Sequence, residues 1–260
     1  MTADVAGIAV STAHFIGGKR LASKRTFPSR SPIDGRHLAE VSVVEPAFWQ
    51  ELATSVGVSA SASLLATALS LLAAYGIARS PSHALRRLSP GLLVLASLPV
   101  MAYVLPLSDL LRRAGLLDSL AGLTFAEAAV TAPLAVYVLS AHLAGGSRET
   151  EEAARLEGAS LPALLWNIVL PTAAPVVAAT AIVLFVLDWN MLLIPLVLTG
   201  IDVRTLPVIL TDFFTLEREV EWPTGAAALT ISLVPLVILV GLLHRPLERF
   251  SLGGDAIETA

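Results

Sequence analysis

The chain has 260 residues, 55% of them hydrophobic and only 15% charged, with a formal net charge of -4 and a mean hydropathy of +0.75. Average soluble proteins carry about 25% charged residues, so this composition describes a polytopic membrane protein, and its slightly acidic balance excludes a nucleic-acid-binding electrostatic footprint. Cysteine is absent, which excludes thiolate chemistry and disulfides and leaves either redox compartment open.

Residues 1–46 are polar and basic, carrying Lys19, Arg20, Lys24, Arg25, Arg30 and Arg36. No basic region followed by an apolar core precedes them, so a signal peptide is not expected. Phe15-Ile16-Gly17-Gly18 and the stretch from Arg36 to Val43 flank the turn signal Pro32-Ile33-Asp34-Gly35. They can pair as a short hairpin, but two strands alone are marginal, so this N-terminal region is expected to be a small hairpin or a poorly ordered tail. His14-Phe15-Ile16-Gly17-Gly18-Lys19 and Arg30-Ser31-Pro32-Ile33-Asp34-Gly35-Arg36 resemble the extreme N-terminus of an aldehyde dehydrogenase.

A helix needs about 20 mostly apolar residues to cross the hydrocarbon core, and five stretches of the 47–260 region qualify: 53–78, 89–108, 128–147, 172–193 and 223–243. The expectation is an all-α domain with five membrane spans. The fourth stretch belongs to a longer run from Gly158 to Ile201 whose one charge is Asp188; Pro171 and Pro175 are expected to divide it, with a further break near Asp188-Trp189-Asn190. Basic residues favour the cytoplasmic side. Arg79, Arg86 and Arg87 after the first span, Arg148 and Arg155 after the third, and Arg245 and Arg249 after the fifth share one side if spans alternate. The linker with Arg112 and Arg113 then lies outside, and so does the basic segment before the first span.

Between the third and fourth spans stands Glu152-Ala153-Ala154-Arg155-Leu156-Glu157-Gly158, followed after nine residues by Ile168-Val169-Leu170-Pro171. Glu151, Glu152 and Arg155 open a helix on which Ala153, Ala154 and Gly158 leave one side nearly flat. Glycine inside a helix costs about 1 kcal/mol against alanine, so Gly158 either separates two short helices or permits a tight backbone approach. Pro162 suits the first turn of the helix that follows.

This pattern, E-A-A, three residues, G, nine residues, I-x-L-P, resembles in full the cytoplasmic signature of ABC importer permeases. The resemblance extends from Phe48 onward. Ala73-Ala74-Tyr75-Gly76-Ile77-Ala78-Arg79, Arg113-Ala114-Gly115-Leu116-Leu117-Asp118, Trp189-Asn190, Thr205-Leu206-Pro207, Trp222 and the ending Arg249-Phe250-Ser251-Leu252-Gly253-Gly254 are similar to the carbohydrate branch. It implies a type I ABC importer permease fold, normally with one further first span that is not found here. A gene fusion or an assembly artefact near residues 43–46 would account for both the missing span and the dehydrogenase-like motifs, and a divergent native polar tail is the alternative.

The resemblance also implies a mechanism: a permease subunit in the bacterial plasma (inner) membrane, in contact with lipid, importing a sugar or polyol by alternating access. Its coupling segment, 148–171, would dock on an ATPase subunit through Glu152, Ala153, Ala154, Gly158, Ile168, Leu170 and Pro171, moving the spans beyond Pro171. The implied partners are nucleotide-binding ATPase subunits, a second permease subunit and an extracytoplasmic substrate-binding protein. ATP and Mg would be bound by the ATPase, with no cofactor and no catalytic residue in this chain.

For the substrate pathway the residues to weigh are Asp188, Trp189 and Asn190, since an intramembrane carboxylate must face protein or water and an indole beside polar groups suits a sugar. Trp189 as an interfacial belt residue, with Asp188 and Asn190 satisfying backbone at a break, is the competing reading. The relatives often carry an acidic residue just after the W-N pair, where this chain has Met191. His14, His37, His83, His142 and His244 lack metal-ligand spacing, and Gly17-Gly18-Lys19 lacks the rest of a phosphate loop. An ion-driven secondary transporter and a non-functional hybrid remain as alternatives. An aldehyde-oxidising enzyme would lack its cysteine nucleophile and a nucleotide-binding fold.

Overall fold

The computed structural model describes residues 2–5, 8–11, 14–16, 19–21, 26–30, 37–42, 46–146, 148–200, 202–213 and 222–241. Three antiparallel two-stranded units come first: β1 (Thr2–Val5) with β2 (Ile8–Ser11), β3 (His14–Ile16) with β4 (Lys19–Leu21), and β5 (Thr26–Arg30) with β6 (His37–Ser42). The expected pairing of residues 15–18 with 36–43 does not form. Phe15 pairs with Arg20, and Val41 with Phe27. Local pairing wins because the intervening Gly17-Gly18 is a hairpin signal of its own and a short loop costs less entropy than a long one.

The rest is helical: α1 (Pro46–Arg79), α2 (His83–Ala96), α3 (Met101–Arg113), α4 (Leu120–Gly145), α5 (Glu149–Leu156), α6 (Leu161–Leu164), a π-helical turn (Leu165–Val169), α7 (Leu170–Trp189), α8 (Leu193–Leu198), α9 (Leu206–Phe213) and α10 (Trp222–Ser232). Among the described residues three helices are long and apolar enough to cross a membrane, Phe48–Arg79, Leu120–Gly145 and Leu161–Trp189, and a fourth span exists if the bent pair α2 and α3 is counted as one. Five spans were expected, and two of them differ for physical reasons. The 89–108 stretch bends by 96° between α2 and α3, where Pro99 has no N–H to donate and disfavours helix at Leu98, and where the Ser97 hydroxyl donates to the Leu93 carbonyl at 2.8 Å. Within 223–243 α10 runs into an overlapping apolar helical stretch, Ala228–Gly241, which among the described residues is shorter than a span.

Pro171 and Pro175 do not divide the run that contains them. Helix continues from Leu161 to Trp189, with Pro171 in the first turn of α7, where its missing donor matters least, and with the wider π turn just before it. The break comes after Trp189, where Asn190 caps α7 and its Nδ2 donates to the Val186 carbonyl at 2.7 Å. α4 begins at Leu120, ahead of the expected 128, because Ser119 caps it: the Oγ accepts from the Gly122 N–H at 3.0 Å. A Cβ on Gly122 would lie 2.0 Å from the Leu116 carbonyl oxygen, so that turn admits only glycine.

α1 and α4 run side by side in the same direction, as three ties show. The Ser61 and Thr124 hydroxyls are 3.1 Å apart, Ser70 Oγ donates to the Ala132 carbonyl at 3.2 Å, and Arg79 Nη1 donates to the Leu143 carbonyl at 2.7 Å. Their seam is built of small side chains, Ala62 and Ala66 against Ala128 and Ala135, with Leu184 of α7 closing it. Small residues let helix backbones approach where the lipid supplies no hydrophobic drive. Leu64, Leu69 and Leu72 of α1 are exposed on the outer side, as a lipid-facing surface requires.

Candidate coupling site and substrate cleft

The α5 helix lies across the end of the bundle where α1 and α4 finish. Its first turn carries Glu149, Glu151 and Glu152 and its last turn Arg155, the charge order that the helix dipole favours. Glu151 turns inward and is 7% exposed. Arg79 forks onto it, Nη2 to Oε1 at 2.6 Å and Nε to Oε2 at 2.9 Å, and Tyr75 donates to Oε2 at 3.1 Å. Arg155 in turn donates to the Tyr75 hydroxyl at 2.8 Å. These donors, the Arg79 hydrogen bond foremost, hold the Glu151 carboxyl below its ordinary range against the opposing effect of burial. Arg148 donates to the Ala78 carbonyl at 3.1 Å, so Arg148 caps α1 while Arg79 caps α4, each cation meeting a helix C-terminus.

The helix ends in a left-handed residue. Gly158 has φ +89°, its N–H bonds to the Arg155 carbonyl at 3.0 Å, and the Ala159 N–H reaches back to the Ala154 carbonyl at 2.9 Å, the two bonds of a Schellman cap. No heavy atom lies within 4 Å of a Cβ built on Gly158. Of the two readings of this glycine, the break between short helices is the one formed within the chain.

The signature residues divide between two faces. Glu152, Ala153, Gly158 and Pro171 are exposed, whereas Ala154, Ile168 and Leu170 are half-buried, and Ala154 packs on the core formed by Tyr75, Leu139, Leu143 and Leu164. Beside the exposed set stand three apolar side chains that the sequence reading did not single out, Leu156 (90% exposed), Leu161 (55%) and Trp166 (73%). Glu151 and Arg79 were also missed as a pair. Their signal, an acid just before the E-A-A triplet and an arginine closing an apolar run, is visible only once the two helix ends are known to meet.

At the far end of α7 the three candidate pathway residues part company. Trp189 and Asn190 line a cleft of about 390 Å³ together with Pro207, Leu210, Thr230 and Leu233, a size within the range of small-molecule sites, about 300–1,000 Å³. Trp189 stacks on Phe185 with centroids 5.9 Å apart and planes 18° off parallel. Asp188 is 2% exposed and does not line that cleft. It lies instead in Coulombic range of Glu127 on α4 and within reach of the Thr131 hydroxyl, which donates to the Glu127 main-chain carbonyl at 3.0 Å, while Glu127 Oε2 has no hydrogen-bond partner. Glu127, missed because the expected span began one residue later, is 1% exposed. Among the described residues no group of three or more His, Cys, Asp or Glu could hold a metal ion.

At the start of α4, the end opposite α5, Asp118, at φ +52°, accepts from the N–H groups of Gly200 (2.8 Å), Val203 (3.1 Å) and Asp202 (3.2 Å). That carboxylate ties the linker before α4 to the loop between α8 and α9.

Residues 53–251 match the family model described as the inner membrane component of binding-protein-dependent transport systems. The chain is 32% identical over 201 residues to the trehalose transport system permease protein SugB of Mycobacterium tuberculosis, covering 76% of this chain and 73% of that one. It is 34% identical over 204 residues to a putative ABC transporter permease protein of Streptomyces antibioticus, covering 78% and 87%. Its fold is similar to that of a chain in the crystal structure of a bacterial ABC transporter involved in the import of the acidic polysaccharide alginate, with a TM-score of 0.66, 18% identity and coverage of 84% and 85%. The chain belongs to the binding-protein-dependent transport family, as a multi-pass inner-membrane permease subunit of an ABC importer that leaves ATP hydrolysis to a separate subunit.

Proposed function

We propose that this subunit carries a sugar or polyol, and that the outward face of α5 and the turn after it is where the ATPase subunit docks. The observation that carries the docking reading is the exposure of Leu156, Leu161 and Trp166 around Glu152, Ala153 and Gly158. Leu156 stands exposed on the charged helix α5, where an outward apolar side chain marks a partner surface, and Trp166 at the start of the helix that follows is the kind of residue that dominates interface energy. Gly158→Asp places a carboxylate in the open space beside that face. The expected result is loss of the ATPase subunit on purification or hydrolysis uncoupled from uptake; normal co-purification with normal uptake refutes the assignment.

The sugar reading is supported by relatives named for trehalose, for trehalose and maltose, and for diacetylchitobiose, and by a cleft that offers an indole beside an amide. In this reading Trp189 and Asn190 contact substrate, and Asp188 stands behind them against Glu127 of α4. A second permease subunit would close the open side of the cleft, and an extracytoplasmic binding protein would deliver substrate from the Asp118 side. Trp189→Ala should abolish uptake while ATPase co-purification persists. For residues 14–43, which lie before the family match, the dehydrogenase-like motifs support a proposal of origin only, since the chain has no cysteine to act as that family's nucleophile.

A further inference from the structure

We propose that the Arg79–Glu151 fork, braced by Tyr75 and Arg155, is a transmission strut through which the coupling helix moves α1, so that α1 and α5 travel as one body. This inference rests on the docking reading above and adds to it the route by which displacement leaves the docked helix.

α5 meets the bundle by packing, Ala154 lying against the core of Tyr75, Leu139, Leu143 and Leu164, and by two further routes. One follows the chain toward α7. It passes the left-handed Gly158, the residues up to α6 and the π turn Leu165–Val169, all places where backbone geometry is irregular and dihedral change is absorbed readily. The other crosses directly by side chains. Glu151 receives the two Arg79 bonds and the Tyr75 bond, Arg155 reaches Tyr75, and Arg148 holds the last turn of α1 at Ala78. Arg79 and Glu151 side chains are 11% and 9% exposed, so their bidentate pair is shielded from solvent, and charge-assisted forks of this kind are the strongest and most directional of side-chain contacts. The same Arg79 also bonds the Leu143 carbonyl at the end of α4. Helix geometry separates the functions: Glu151 and Ala154 point into the bundle, while Glu152, Ala153 and Leu156 point out. One face can be pushed and the opposite face can push.

Arg79 and Glu151 are positioning residues in this scheme, because neither meets the docking face nor the cleft. The absence of cysteine permits a direct test with paired spin labels on Gly76→Cys in α1 and Thr150→Cys in α5, both exposed and both outside the network. Distances are measured in the assembled transporter, nucleotide-free and trapped with ATP and vanadate. The expected result is a Gly76–Thr150 distance that changes by less than ~2 Å, the scale of slippage at a packed helix interface. In Glu151→Gln the same distance should become nucleotide-dependent, and the exchange Arg79→Glu with Glu151→Arg should return it toward constancy. A distance that changes with nucleotide in the otherwise unaltered chain as much as in Glu151→Gln overturns the strut. So does loss of ATPase co-purification in Glu151→Gln that the exchange does not restore, since the pair would then serve docking. Failure of the docking reading is read separately, as normal ATPase co-purification together with normal uptake in Gly158→Asp.

Discussion

Replacing Gly158 by asparagine, alanine or aspartate separates backbone conformation from docking space at the end of the coupling helix. At φ +89° a residue with a Cβ is strained by about 1–2 kcal/mol, and asparagine is strained less than alanine because it visits this region more readily. No atom lies within 4 Å of the Cβ position, so within the subunit strain is the whole penalty. An energy of that size is about fivefold to thirtyfold in an equilibrium constant. Amide hydrogen exchange at Gly158 and Ala159, whose N–H groups bond to the Arg155 and Ala154 carbonyls, measures the local opening. Protection should fall in the order glycine, asparagine, alanine, with alanine reduced by about fivefold to thirtyfold. Equal protection for alanine and glycine at residue 158 refutes the conformational argument. ATPase co-purification, measured on the same series, should follow that order if the cap governs docking. An order of glycine, alanine, asparagine would show that the partner fills the space at the glycine, and aspartate should then be worst.

Asp118→Ala removes an acceptor of three backbone N–H bonds; in this exposed loop the loss should be about 1–3 kcal/mol, visible as a lower thermal midpoint that Asp118→Asn partly restores. Because Arg79 and Tyr75 hold the Glu151 carboxyl below its ordinary value of about 4.5, against burial and with Arg155 nearby, its contribution is fully present at neutral pH. It is lost as pH falls below about 4.5 through the depressed folded value. Exchange at the α5 amides should accelerate over that acid window, and Glu151→Gln should flatten the dependence. Asp188→Asn removes a buried acid that lies in Coulombic range of the buried Glu127, so the thermal midpoint should rise; a fall would show that the carboxylate is held by a donor such as Thr131. Ala66→Leu, at a position 1% exposed in the α1–α4 seam, should cost about 1–3 kcal/mol by overpacking, measured as a lower midpoint with unchanged helicity.

The segments legible from sequence were those governed by length and hydropathy, and the motif whose spacing is local. The stretch 53–78 falls within a helix long enough to span and 172–193 overlaps another as far as Trp189, where the helix breaks at the expected Asp188-Trp189-Asn190. Errors arose where one or two residues outweigh an apolar window. Ser119 extends α4 backward to include Glu127, Pro99 folds the second stretch on itself, and the π turn carries helix through Pro171, which hydropathy counts as a divider. At the coupling segment the E-A-A spacing identified the outward residues, yet Ala154 packs inward with Glu151. Nothing in the chain order shows that Tyr75 and Arg79, more than seventy positions earlier, complete that inward face. Long-range pairs of this kind are set by helix register in three dimensions, which a linear spacing cannot express.

The α1–α4 seam is alanine and serine through most of its length, and several of its hydroxyls are satisfied within their own helix, Ser63 on Ala60 and Thr131 on Glu127 among them. Such positions accept exchange among alanine, serine and glycine with little change in packing, whereas the charged anchors, Asp118 at one end and Arg79 with Glu151 at the other, lose charge-assisted hydrogen bonds on any neutral replacement. A map of tolerated substitutions at the seam positions, plotted against depth in the bilayer, would accordingly show two intolerant bands at the surfaces separated by a stretch whose rule is side-chain size.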